Sequence, residues 1–184
     1  MKHFRYIVYF IIFTAASLLD LNAGESHFYG SDVLSSRLIT TTVQDADGYI
    51  WIGTEYGLNR FDGIQFKEYL NDENDRNSIM SNTVRSLLCD SKGRLWVGLL
   101  NGLQLYDPQR DCFSNVSFGS LGYTPSVSMI SETSSGSLLI VVSRIGIFKV
   151  DPENMAAVQI NEITGICGTS SFNDVFEDTH GRLW

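Results

Sequence analysis

An internal period of 45 residues is the feature that most limits what this chain can fold into, because a repeat must come from one unit that packs on copies of itself. Residues 34–62 lie over 79–107 without a gap, with eight identities: Ser36/Ser81, Asp45/Asp90, Gly48/Gly93, Trp51/Trp96, Gly53/Gly98, Gly57/Gly102, Leu58/Leu103 and Asp62/Asp107. Apolar pairs fill the intervals: Ile39/Val84, Val43/Leu88, Ile50/Leu95, Ile52/Val97 and Phe61/Tyr106. A third copy, 127–151, keeps Gly136, Gly146 and Asp151 but has Leu139 and Val141 at the Trp and second Gly positions. A fourth begins at Val175 and carries Asp178, Gly181, Arg182, Leu183 and Trp184, matching Asp90, Gly93, Arg94, Leu95 and Trp96.

The spacing inside each copy reads as short strands. Asp45 to Gly48 and Asp90 to Gly93 place Asp first and Gly last in four residues, which suits a type I turn closed by a left-handed Gly. Strands are expected on either side, at 39–44 and 49–54 and again at 84–89 and 94–99. The second of each pair is apolar at almost every position, so both its faces should be buried. A turn at Gly57 or Gly102 leads to a third strand, 58–62 or 103–107, and a fourth fits 66–70 or 113–118. Four short antiparallel strands per copy, punctuated by Gly and aromatics, make one blade of a β-propeller. Trp51 and Trp96 should fill the space between blades, and Gly53 and Gly98 should permit close backbone approach. No apolar stripe of helical period persists, so an α-helical alternative fails. The fold class is therefore all-β: a partial propeller of about three four-stranded blades and the start of a fourth. The copies are bounded at 34–78, 79–122, 123–166 and 167–184.

Ahead of the repeats lies an address. Lys2 and Arg5 precede an uncharged apolar run, 6–19, and Ala23 closes the segment, which is the build of a secretory signal peptide at 1–23. An uncleaved signal anchor is the alternative; in either case residues 24–184 are exported. The chain carries 13 Lys+Arg against 21 Asp+Glu, a net charge of −8. Losing Lys2, Arg5 and Asp20 with the leader makes the remainder more acidic still, which argues against a nucleic-acid surface. Cys89, Cys112 and Cys167 are odd in number and lack CxxC spacing, so they imply neither a disulfide framework nor a metal site.

With the repeats in view, residues 43–63 (VQDADGYIWIGTEYGLNRFDG) and 87–108 (LLCDSKGRLWVGLLNGLQLYDP) resemble the two-component regulator propeller repeat. The flanking stretches 33–36 and 69–82 are similar to that family too, and the resemblance extends over about 28–184. Departures are Leu139 and Val141 in the third copy, and Leu99 where the family has Thr, as at Thr54. The resemblance implies the exported, periplasmic sensor region of a hybrid two-component regulator, whose parent is anchored in the inner membrane. It further implies a sensor histidine kinase as the parent protein, an oligosaccharide ligand, control of polysaccharide utilisation, further blades in the same chain and a homodimeric full-length protein.

No catalytic constellation accompanies these repeats. His27 and His180 are the histidines beyond the leader, and no GxSxG, HExxH or phosphate-cradling Gly loop occurs. The recurring Asp45, Asp90 and Asp178 are better explained as side chains capping hairpin turns than as general acids or calcium ligands. The acidic run 71–75 lacks the Gly and terminal Glu spacing of an EF-hand, and reads as a loop between blades. Asn115 opens a glycosylation sequon that carries no weight here. No cofactor is expected. Ligand contacts are expected on connecting loops, at Glu55, Tyr56 and Asn101, with Tyr56 as the aromatic platform. The alternative is an exported propeller enzyme, a lyase or glycan-active hydrolase, which would need acid or base groups converging on the central channel.

The sequence stops at Trp184, inside a strand whose earlier copies continue through Val97 and Gly98, so more blades are expected to follow. An open arc exposes a strand edge and an apolar face. Residues 24–184 expressed alone are therefore expected to aggregate or unfold, and a monomeric preparation with a cooperative melt would contradict this.

Overall fold

The computed structural model describes residues 33–160 and 174–184; the expected signal peptide 1–23, His27 and Cys167 lie outside the described residues. Among the described residues twelve strands form three four-stranded antiparallel sheets, each a meander in chain order. The first comprises β1 (Ile39–Gln44), β2 (Ile50–Thr54), β3 (Gly57–Phe61) and β4 (Phe66–Tyr69). The second comprises β5 (Val84–Cys89), β6 (Leu95–Leu99), β7 (Gly102–Asp107) and β8 (Cys112–Asn115). The third comprises β9 (Val127–Glu132), β10 (Leu138–Val142), β11 (Gly146–Asp151) and β12 (Ala156–Gln159). Consecutive copies of one meander packed face to face are propeller blades. The degenerate third copy makes as complete a sheet as the others, because Leu139 and Val141 keep its second strand apolar.

Burial follows the sequence pattern. Every residue of β6 and β10 is buried, as expected for strands sandwiched between blades. In β2 the indole of Trp51 is fully buried while Ile50 and Ile52 are only partly so. Trp51 packs across the first seam, stacked on Tyr69 at 5.5 Å and edge-on to Tyr106 at 4.7 Å. Trp96 belongs to the next core, with Leu103, Ile130, Ile140 and Phe148. Gly53 has the close approach expected of it: a Cβ there would lie 2.6 Å from Val84 Cγ1 and 2.8 Å from Thr41 Cγ2.

One strand differs from expectation. The fourth strand of the second blade ends at Asn115 rather than 118, because the chain leaves its sheet to cover the neighbour's edge. Ser117 N–H donates to Met155 O, and Ala157 N–H donates back to Ser117 O. Likewise Phe113 N–H donates to Asn77 O from the preceding connection. These connections cover edges that would otherwise present unpaired backbone.

The first hairpin turn of the first, second and fourth copies is built around a carboxylate. Asp90 Oδ1 accepts from the backbone N–H of Lys92 and Arg94, and Oδ2 accepts from Arg94 Nε at 2.7 Å and Trp96 Nε1 at 2.9 Å. Asp45 repeats this with Asp47 N–H, Tyr49 N–H and Trp51 Nε1. Asp178 repeats it with His180 N–H, Arg182 N–H, Arg182 Nε and Trp184 Nε1. The turn closes on glycine at φ +90° for Gly48 and +75° for Gly93, a backbone conformation open to Gly at no steric cost. Burial pushes the Asp90 carboxyl up, but the Trp96 indole N–H and the Arg94 backbone and guanidinium N–H groups outweigh it and hold it below the usual range.

Two consequences can be measured. Asp90→Asn turns a donor toward Trp96 Nε1 and Arg94 Nε, and should cost roughly 3 kcal/mol in urea unfolding, since buried donors lose their acceptor. Because the folded Asp90 pKa lies below its unfolded value, the carboxylate's contribution is complete above about pH 5 and falls away as pH drops through the folded value. The mutational loss should shrink in the same acidic window. Gly53→Ala should cost about 1–3 kcal/mol from the overlap with Val84 and Thr41, read from the same melts.

Candidate functional site

Register divides each blade into two ends. Ile39, Thr54, Gly57 and Tyr69 share one end of the first sheet, and Gln44, Ile50, Phe61 and Phe66 share the other. The second end holds the carboxylate-centred turns, where Asp45, Asp90 and Asp178 are already used in structure. Asp90 and Asp178 bind their own Arg and Trp. Glu132 accepts from Ser91 N–H and Oγ across the second seam, and Glu177 accepts from Ser134 N–H across the next. Cys89 occupies the corresponding place at the first seam. Burial pushes its thiol up, the Ala46 N–H opposes this, and the nearby Asp45, Asp90 and Glu132 carboxylates add to the rise. Cys89 and Cys112 are both free thiols.

The outer part of the first seam is closed by Asp111. Its Oδ1 accepts from Tyr69 and Tyr106 hydroxyls, both at 2.7 Å, and its other oxygen pairs with Lys67. Arg60 donates to the Tyr106 hydroxyl at 2.9 Å. Burial raises the Asp111 carboxyl, but Lys67 and the two hydroxyls prevail and hold it at about 2. Burial also pushes the Tyr69 hydroxyl up, with its bonds to Tyr106 and Asp111 adding to the rise. These are static partners of one another, not an acid and a base poised near neutrality.

The remaining sequence candidates are accounted for one by one. Trp51 and Trp96 are fully buried and offer no face to a sugar. His180 is an exposed turn residue whose N–H donates to Asp178. The acidic run 71–75 folds as a loop: Asn71 Nδ2 donates to Ile79 O, and Asp72 and Asp75 accept from the N–H groups of Asn74 and Asn77. Asn115 accepts from Gln104 Nε2. Among the described residues no group of three or more His, Cys, Asp and Glu side chains converges as a metal site.

The opposite end, where the blades are connected, has a different chemistry. Its turns are laid down by a recurring bond: Glu55 N–H donates to Leu38 O, Leu100 N–H to Thr83 O, and Ser143 N–H to Ser126 O. Thr83 Oγ1 donates to Glu55 O, so these turns adjoin from one blade to the next. Tyr56 projects from the first turn with 58% of its surface exposed, beside the exposed Glu55. Leu38, Leu100 and Tyr123 are exposed at this same end. Of the three sequence candidates, Asn101 is placed differently from Glu55 and Tyr56: its Nδ2 donates to Met80 O and holds the incoming chain, while its Oδ1 is buried without a partner. Tyr123 lies in a connection outside the matched repeat positions, so recurrence does not single it out.

The family described as two-component regulator propeller matches residues 33–56 and 78–101, the entry strand and first hairpin of the first two blades. Histidine kinase P4 of Formosa agariphila is 36% identical over 77 residues, spanning 39% of this chain and 6% of that protein. Two solved structures, described as extracellular domains of hybrid two component systems of B. thetaiotaomicron, share the fold. Their TM-scores are 0.76 and 0.69, at 24% and 20% identity over 85% and 88% of this chain. The chain spans about a quarter of each, 23% and 24%. The matched segments are those that build the carboxylate-centred turns and the buried second strands, so the first two blades each carry a two-component regulator propeller repeat.

Proposed function

We propose that these blades are part of the exported sensor region of a hybrid two-component regulator, and that they recognise oligosaccharides without chemically altering them. The repeat match in the first two blades, the histidine kinase relative and the extracellular propeller neighbours support the sensor role. The basic and apolar leader at 1–23 supports export to the periplasm. The single observation that carries the ligand class is the exposed Tyr56 ring on an ordered turn. An aromatic face with a polar tip suits the apolar face and hydroxyl rim of a sugar. Ligand would act by favouring one arrangement of the sensor over another, shifting an equilibrium already present.

Calorimetric titration of the full-length gene product with neutral oligosaccharides tests this reading. Tyr56→Ala should weaken the binding saccharide about tenfold, the scale of one lost aromatic contact, with the melting temperature unchanged. Unaltered affinity would remove Tyr56 from the site. Failure of the unmutated protein to bind any saccharide would remove the oligosaccharide reading itself.

A further inference from the structure

The connection between the second and third blades, 116–126, is an ordered platform rather than a plain linker. Val116 N–H donates to Leu103 O, and Ser117 pairs with the backbone of Met155 and Ala157. Phe118 is buried against Phe148, with ring centroids 5.9 Å apart. A 3-10 turn, Gly119–Leu121, then reverses the chain and ends at Gly122 with φ +67°. Beyond it Tyr123 stands 60% exposed, and no ring or hydroxyl partner holds it among the described residues. Together these residues wall a cleft of about 270 Å³.

We propose that Tyr123 and this cleft form a second subsite, taking one uncharged sugar unit of a ligand whose neighbouring part lies at Tyr56. The inference rests on the oligosaccharide reading above and adds to it a minimum ligand length and a second platform. Three observations carry it. The cleft is lined by Val116, Ser117, Phe118, Tyr123, Thr124 and two glycines, with no Asp, Glu, Lys, Arg or His, so it suits an uncharged group with an apolar face and hydroxyls. Its size is at the low end for small-molecule sites, which suits one unit of a chain rather than a whole oligomer. A Cβ built on Gly119 or Gly122 meets nothing within 4 Å, so the floor is open to an incoming group.

The placement of the two rings sets the geometry. Tyr56 adjoins the seam between the first and second blades, since Gly57 N–H donates to Asn82 O. Tyr123 adjoins the following seam, since Gly102 bridges to Ser126 and a Cβ on Gly102 would lie 3.9 Å from Thr124 Cβ. The platforms therefore stand one blade apart at the same end of the molecule. A single sugar can occupy one of them, and an oligosaccharide is needed to occupy both. The anchoring of Phe118 and Val116 means that little ordering of the loop accompanies binding, which favours affinity.

Titration of the full-length gene product with linear neutral gluco-, manno-, galacto- and xylo-oligosaccharides, from single sugars to hexasaccharides, tests the subsite. For the series that binds, affinity should rise with length until both platforms are filled. Tyr123→Ala should erase that rise, about a tenfold loss for the long members, and leave the shortest binding member unchanged. Tyr123→Phe should retain the rise, because the ring face is kept, whereas a merely structural Tyr123 would shift the melting temperature and all lengths together. A length dependence unaffected by Tyr123→Ala overturns the subsite while leaving the oligosaccharide reading standing. Absence of any binding by the unmutated protein overturns both.

Discussion

The carboxylate at the first hairpin of the first, second and fourth copies is the interaction on which the rest depends. One side chain closes the turn through two backbone N–H groups, and its second oxygen fixes the indole that fills the seam six residues later. Turn geometry and blade packing are thereby set by the same group. Asp90, with no exposed side-chain surface, would be costly as an isolated buried charge, and is tolerated because every lone-pair direction meets a donor. The third copy shows the coupling from the other side. Thr133 replaces the Asp and Leu139 replaces the Trp, so neither an orphaned indole N–H nor an underused carboxylate remains, and Thr133 Oγ1 still accepts from Ser137 N–H to close the turn. In the first blade Tyr49 stands where Arg94 stands in the second, and Arg60 from the adjacent strand lies 4.7 Å over its ring to supply the cation.

Much of this was legible in the sequence for a simple reason: blades repeat, so a residue needed for a turn or a seam recurs at fixed spacing. The strand positions, the left-handed Gly48 and Gly93, the tight approach at Gly53 and the buried Trp51 and Trp96 all follow from that recurrence. The Asp-to-Trp bond was also written there, in the constant spacing of 45/51, 90/96 and 178/184 and in the joint loss at 133 and 139, though a turn cap alone accounted for the Asp. What did not recur was not legible. Asp111 unites Tyr69, Tyr106, Arg60 and Lys67 from two blades, and no sequence spacing foretells that a residue at φ +54° will meet partners more than 40 positions upstream. Asn101 stands beside a turn glycine, and the bond from its Nδ2 to Met80 O is visible only once the incoming chain is placed.

The seams differ in how they are joined. The first uses a rim cluster centred on Asp111 and an aromatic stack, with Cys89 at the position where the next two seams have Glu132 and Glu177. A thiol is a poorer acceptor than a carboxylate, so the polar clamp has moved from the turn to the rim at that junction. In each case the acceptor is anionic and the donor lies on the adjoining blade. The acidic balance of the chain is thus partly invested in holding blades together rather than in attracting a cation or repelling a polyanion.

That division of labour bears on where recognition can occur. At the hairpin-turn end, Asp45, Asp90, Asp178, Glu132 and Glu177 already accept from Arg, Trp, Ser or backbone donors, and displacing them would loosen a turn or a seam. At the connection end, polar backbone groups are satisfied by the recurring bonds from Glu55, Leu100 and Ser143, so the turns are rigid, while Tyr56 and Tyr123 remain uncommitted. A sensor needs surfaces that can bind without dismantling the scaffold and a scaffold stiff enough to pass the effect on. In this molecule one end commits its turn carboxylates to the scaffold, and the other leaves the Tyr56 and Tyr123 rings exposed, which is the arrangement the proposed recognition requires.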